Sequence, residues 1–474
     1  MSNYNIVTFS SLEFIFRFLP FFLTAFYLAP SRYKKIVLFL ASLVFYAFGA
    51  PVFLPLLMVL TAFNCVLGQK LCSHKGEQKE RRRWLIAAVL LDVIVLAGFK
   101  LLSASRAVLP DGGFQEAAEL GLPLGISFYL FKMLSYQIDC YHGKAGQHGW
   151  LDAALYFCLF PQLVSGPVMR FEGMERIRWQ IKGMQTIGRR LENGLYYFTI
   201  GLGAKVLLAD RLGILWHDLE TIGFESISTP LAWLGAFAFS LELYFDFAGY
   251  SLMAAGIGVM LGIPFVQNFA HPYAAGSVRE FFRRWHMTLG SWFRDYVYIP
   301  LGGNRRGMAR CIVNLAAVWI LTGLWHGGTL NFLIWGIVLF GFVVAEKLFL
   351  GKHLEKHRVF SVCYILAVMP VTWMIFAITD LGQLGIYMKK LFPFLEQFAG
   401  RTVGVVNTGD FLKYIKLYGS VLCVSALFCI PQISVWLEKH RRKPVVVVVI
   451  ALIFWGSIYM IANAALNPFL YFSF

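Results

Sequence analysis

At 474 residues, 58% of them hydrophobic and 14% charged, the chain is too apolar for a soluble enzyme. Spanning helices need roughly 20 mostly apolar residues each, and the sequence supplies many such runs. Its formal charge of +16 is the Lys/Arg excess of cytoplasmic loops. Nucleic-acid binding is excluded, because no basic folded domain stands outside the apolar runs.

The first apolar run, Phe18–Ser31, is followed by Arg32, Lys34 and Lys35 and has no basic leader, so it reads as a retained span and not a signal peptide. The uncharged stretch Ile36–Gln69 is too long for one span, and Gly49 and Pro51 divide it into a helical hairpin. Lys70, Lys75, Lys79 and Arg81 to Arg83 then mark a cytoplasmic loop. Trp84–Phe99 is the next span, with Asp92 inside it as a structural residue. Leu122–Tyr136 and Ala153–Met169 are broken by Pro123, Gly125, Pro161, Gly166 and Pro167. Such runs suit re-entrant segments whose freed backbone groups are satisfied by neighbouring protein. Arg170 to Arg190 is basic and is expected to hold an interfacial amphipathic helix. Spans are expected at 192–208, 228–247, 250–265, 329–345, 360–379, 417–436 and 444–463, with 380–416 outside. The eight cysteines follow no zinc-ligand spacing and read as small buried hydrophobes, so no metal is expected. The fold class is therefore an all-α polytopic membrane protein, one domain over 1–474, with about 11–13 spanning or re-entrant helices.

The stretch Arg279–Gly336 carries the chemistry. A charged, aromatic segment broken by Gly and Pro leads into an uncharged run from Cys311 to Ala345, and His326 lies near the middle of that run. An ionisable residue at membrane depth is a functional candidate by default, and a neutral imidazole there can take a proton from a hydroxyl. The glycines after it let backbone or substrate come close. The competing reading is a histidine hydrogen-bonded between helices. His286 follows two arginines and a tryptophan and reads equally as a second reacting group or an interfacial histidine. Arg279, Arg283, Arg284, Arg294 and Arg305 suit a phosphate-bearing donor, though topology alone explains most of their number. With Trp285, Trp292, Phe293, Tyr296 and Pro300 among them, they suggest a cytoplasmic cap with a pocket, and Arg283, Arg284, Arg294, Trp285 and Asn304 are its expected donor-binding residues. Glu242 and Asp246 share a helix face and are expected to form ion pairs, with the cap arginines as candidate partners.

Several motifs recur in order along the chain: Phe160 to Pro167, Tyr244 to Ser251, Pro264 to Tyr273, Phe281-Phe282-Arg283-Arg284-Trp285-His286, Tyr298 to Arg305, and Leu324-Trp325-His326-Gly327. Together they resemble the membrane-bound O-acyltransferase family. The bacterial alginate O-acetylase and peptidoglycan O-acetyltransferase branch is most similar, with the teichoic acid D-alanylation protein a cousin. The resemblance implies short tilted helices around a central channel. It implies His326 as the essential histidine and His286 as the second signature position. It further implies multi-pass residence in the bacterial cytoplasmic membrane. Acetyl-CoA is then the cytoplasmic donor, and no cofactor is permanently bound. A cell-envelope polysaccharide is the final acceptor, reached through an extracytoplasmic acyltransferase partner of the SGNH type or its D-alanylation counterpart. D-alanyl transfer to teichoic acid is the alternative chemistry, and a transporter or flippase without covalent chemistry is the alternative class. Finally, the uncharged end Asn467-Pro468-Phe469-Leu470-Tyr471-Phe472-Ser473-Phe474 resembles a small separate peptide of D-alanylation systems whose tyrosine carries the acyl group. That likeness implies Tyr471 as a transient acyl acceptor activated by His326. The plainer reading is an aromatic belt at the membrane interface.

Overall fold

The computed structural model describes residues 8–73, 78–105, 121–146, 148–175, 177, 179, 183–394 and 408–463. Tyr471 and the tail around it lie outside them. The described residues form helices and connecting turns, with no strand among them. Among the described residues, eight helical stretches are long and apolar enough to cross a membrane: Pro51–Cys72, Gln78–Ser103, Thr229–Leu261, Met308–His326, Leu330–Lys356, Arg358–Ala377, Gly409–Phe428 and Pro444–Asn463. The protein is a multi-pass, all-helical membrane protein.

The chain divides into two compact units. The first holds the described residues within 1–201, 250–267 and 461–463; the second holds those within 202–249 and 268–460. The first unit is built from α1 (Leu19–Leu28), α2 (Lys34–Gly49), α3 (Leu54–Cys72), α4 (Gln78–Ser105), α5 (Ile126–Tyr141) and α6 (Trp150–Cys158). Gly49 and Pro51 end α2 and start the turn into α3, as the sequence predicts. The rings of Phe9, Phe14, Phe18, Phe22, Phe45 and Phe160 form one apolar nucleus; Phe22 meets Phe160 edge-on at 5.2 Å. A buried amide and carboxylate chain ties three helices. The Gln137 amide donates to Asn64 Oδ1 at 2.8 Å, and Asn64 Nδ2 donates to Asp92 at 3.0 Å. Asp92 thus has the structural role expected of it. Helices α5 and α6 are short and almost wholly buried, which suits segments that protein, and not lipid, surrounds.

The basic stretch 170–190 holds a short helix, Phe171–Glu175, and the first turns of α7 (Met184–Gly203), which runs through a π-turn, Ala204–Ala209, into α8 (Asp210–Ile222). Two expectations are corrected. The spans expected at 228–247 and 250–265 are one helix, α9 (Thr229–Leu261), of 33 residues. Gly249 does not break it, because an interior glycine costs only about 1 kcal/mol. The span expected at 417–436 is instead α16 (Gly409–Phe428), and α17 (Pro431–His440) is separate, since Pro431 starts a new helix.

The second unit contains α10 (Val278–Arg284), α11 (Met287–Phe293), α12 (Met308–His326), α13 (Leu330–Ala345), α14 (Arg358–Ala377), α15 (Leu381–Leu391), α16, α17 and α18 (Pro444–Asn463) as far as Met460. Lys205 Nζ lies 2.6 Å from Asp210 and 2.7 Å from Asp246, whereas the buried Glu242, also expected to pair, keeps a carboxylate oxygen with no hydrogen-bond partner among the described residues. Asp246 is ion-paired as expected, but its partner is this lysine and not a cap arginine.

Candidate active site

Residues 278–293 fold as two short helices with a sharp joint between them. The Glu346 carboxylate holds the first helix, accepting from the amides of Val278 at 2.6 Å and Arg279 at 3.1 Å, where a negative charge offsets the helix dipole. Ser277 Oγ accepts from the Glu280 amide at 3.0 Å, and Glu280 reaches back to the Gly276 amide at 2.8 Å. Burial alone would raise the Glu280 carboxyl, but the Gly276 amide and Arg284 hold it below its usual range.

His286 is the joint. Its backbone is left-handed, at φ 45°, a conformation that costs a non-glycine residue about 1–3 kcal/mol and persists only where the surroundings fix it. Asn268 supplies the fixing. Its backbone oxygen accepts from the Met287 amide at 2.9 Å, and its side-chain oxygen accepts from the Thr288 amide at 3.2 Å and hydroxyl at 2.9 Å. A backbone N–H can only meet an oxygen, so the Asn268 amide has one orientation. Its Oδ1 then lies 3.1 Å from His286 Nδ1, which must carry the proton and donate it, leaving the lone pair on Nε2. His286 is 3% exposed and lies outside the spans, and burial pushes its imidazole down to about 3. It is a neutral acceptor at any physiological pH.

His326 is not mid-helix, as its place in the uncharged run suggests. It is the last residue of α12, at the turn into α13. Glycines let this hairpin close. A Cβ on Gly323 would stand 2.5 Å from the Phe332 oxygen, one on Gly327 would stand 2.3 Å from the Phe332 ring, and one on Gly336 would stand 2.5 Å from the Trp319 oxygen. The half-buried His326 ring meets Trp325 at 4.7 Å, Phe376 at 5.0 Å and Trp335 at 5.2 Å, all edge-on. His286 meets Trp325 at 6.4 Å, so one tryptophan touches both histidines.

Two residues with no role in the sequence reading matter here. Asn268 stood inside a motif but carried no signal of its own. Trp335 is buried among Phe282, Trp319, Trp373, Phe376 and His326. Its indole N–H has no hydrogen-bond partner among the described residues. Such a donor costs stability, and of the five rings around it only that of His326 carries an acceptor nitrogen. A sequence shows only another tryptophan.

The structure separates the expected donor-binding residues. Trp285 is buried in the aromatic wall, 5.0 Å from Trp373. Arg283 and Asn304 are exposed. Arg284 pairs with Glu280 at 2.5 Å, and Arg294 pairs with Asp295 through two bonds of 2.7 and 3.2 Å.

The sequence model of the membrane-bound O-acyltransferase family matches residues 38–379. The chain belongs to the membrane-bound O-acyltransferase family. It is similar to the probable alginate O-acetylase of Pseudomonas syringae pv. tomato, 36% identical over 397 residues that cover 82% of this chain and 76% of the relative. It is also similar to the peptidoglycan O-acetyltransferase of Helicobacter pylori, 33% identical over 75% of this chain and 71% of that protein. The teichoic acid D-alanyltransferase of Bacillus subtilis is 28% identical over 45% of this chain and 56% of its own length. The protein is a membrane-bound O-acyltransferase, which sets aside a transporter without covalent chemistry. Both histidines and all of α10 to α13 fall within the family match.

Proposed function

We propose that the enzyme transfers an acetyl group from cytoplasmic acetyl-CoA to a cell-envelope polysaccharide outside the bacterial cytoplasmic membrane, through an extracytoplasmic acyltransferase partner. The observation that carries this reading is His326 at a glycine-closed hairpin turn, walled by rings. Its likeness over most of its length to O-acetylating relatives supports acetyl over D-alanyl. His326 accepts the proton of the attacking hydroxyl. The hydroxyl oxygen forms the new C–O bond, the carbonyl oxygen takes the negative charge, and on collapse the C–S bond breaks, with the CoA thiolate leaving to take a proton. Trp335 donates its N–H to the developing oxyanion, which accounts for a buried donor left open beside the base. The aromatic walls keep water from the thioester. His286, held by Asn268 as a neutral acceptor, positions the incoming hydroxyl. Arg283, Arg284 and Arg294 attract the donor's phosphates, with Trp285 and Asn304 shaping that entry. Tyr471 serves as the acyl relay.

The test is purified enzyme given acetyl-CoA labelled in the acetyl group, with and without the partner. Without the partner, label should leave CoA once per enzyme and appear as an alkali-labile ester on Tyr471; repeated release should need the partner and the polysaccharide. Tyr471→Phe should stop transfer to the polysaccharide. Release of label from a D-alanyl carrier and not from acetyl-CoA would replace the donor assignment.

A further inference from the structure

The first unit brings together three side chains that the sequence holds far apart. Cys72 ends α3, Cys140 lies in the last turn of α5, and His148 sits just before α6. Their ligand atoms all lie within 4.8 Å of one another. Neither cysteine is in a disulfide, and Cys140 is fully buried and Cys72 partly so. A tetrahedral zinc ion, at about 2.3 Å from sulfur and 2.0–2.1 Å from nitrogen, spaces its ligand atoms about 3.6–3.8 Å apart. The three donors therefore need little movement.

The surroundings are built for such a site. His148 Nδ1 is 2.7 Å from the Gly146 oxygen, which can only accept, so Nδ1 carries the proton and Nε2 holds the lone pair. A ring nitrogen donating to a backbone carbonyl is the arrangement that orients a metal-bound histidine. Nε2 is 2.7 Å from the Tyr136 hydroxyl, which donates to it. Phe171 packs against the imidazole at 4.3 Å, and a Cβ on Gly68 would overlap the Tyr136 ring at 2.0 Å. Arg81 joins the same two helix ends, donating to the oxygens of Leu71 at 3.1 Å and Tyr141 at 2.8 Å. Cys72 adjoins the basic loop assigned to the cytoplasm, where thiols stay reduced.

We propose that Cys72, Cys140 and His148 form a zinc site that clips the ends of α3 and α5 to the segment before α6. Both thiols lose their protons to solvent and bind as thiolates. His148 binds through Nε2, and the Tyr136 hydroxyl gives up that nitrogen and stands at the fourth position as a ligand or a donor to bound water. A Cys2His set of this kind favours zinc over magnesium or calcium. The site is structural, because its donors serve no step of acyl transfer.

Full-length protein, purified in detergent under reducing conditions, should carry one zinc per chain by elemental mass spectrometry. Cobalt added to chelator-treated protein should give thiolate-to-cobalt charge-transfer and tetrahedral d–d absorption, with two protons released per metal bound. Cys72→Ser, Cys140→Ser and His148→Gln should each bring bound metal down to background, while Cys363→Ser, at an exposed cysteine, should leave it unchanged. The cobalt titration needs no variant, so misfolding of a variant cannot mask the answer. Wild-type protein that binds neither metal, metal retained by all three variants, or a Cys72–Cys140 disulfide in reduced-prepared protein would overturn the site.

Discussion

The hairpin around His326 and the arginines of the α10–α11 segment lie close in sequence, yet they use their polar groups in opposite ways. At the hairpin the polar groups are few and enclosed by rings: the His326 imidazole and the Trp335 N–H. In the arginine segment the charges stand at the surface, and two are already matched by carboxylates of their own segment. Exposed pairs of that kind contribute little, about 0–1 kcal/mol. On the proposed function, enclosure by rings marks the reacting centre and density of charge does not.

The strongest way to break the comparison is at the base. His326→Ala should lower kcat by about 10³-fold or more, within the range for loss of a general base, with the melting temperature close to wild type. A steady-state assay paired with a thermal melt of the same sample checks both. Trp335→Phe keeps the ring and removes only the donor. It should lower kcat by about 10²-fold with KM little changed, and removing a buried open donor should leave stability equal or higher. A drop in stability without a drop in kcat would make Trp335 a packing residue.

His286 sharpens the comparison through pH. Its imidazole sits near 6.5 in the unfolded chain and about 3 in the folded one. The unfolded state therefore binds the proton first, and the contribution of His286 to stability, complete above about 6.5, is lost as pH falls toward 3. His286→Asn suits the left-handed backbone. Melting temperatures followed from pH 7 to pH 4 should fall less steeply in this variant than in wild type; parallel curves would contradict a buried neutral histidine. The smallest effect belongs to the arginines. Replacing Arg283, Arg284 and Arg294 by Gln should raise KM for acetyl-CoA a few-fold at low ionic strength, and the difference should shrink as salt screens it.

Much of this was legible in the residues. The Gly49–Pro51 break and the buried α5 and α6 follow from hydropathy and helix breakers. The family followed from six motifs in order. The rest was settled by contacts the sequence does not display. The two spans expected at 228–247 and 250–265 are one long helix. His326 lies at a turn because Gly323, Gly327 and Gly336 fold its run into a hairpin. Asn268 gains its role only when the chain folds it against His286. Cys72, Cys140 and His148 fit no spacing rule, because their proximity comes from the packing of α3 on α5.

The account rests on chemistry at the hairpin and attraction at the arginines. The most direct measurement is a set of Michaelis curves for acetyl-CoA at low salt, run in parallel on wild type, His326→Ala and the Arg283/Arg284/Arg294→Gln variant. The kcat should collapse only in the first variant, and KM should rise only in the second. A His326→Ala enzyme that turns over at the wild-type rate, or an arginine variant that loses kcat with KM unchanged, would contradict it.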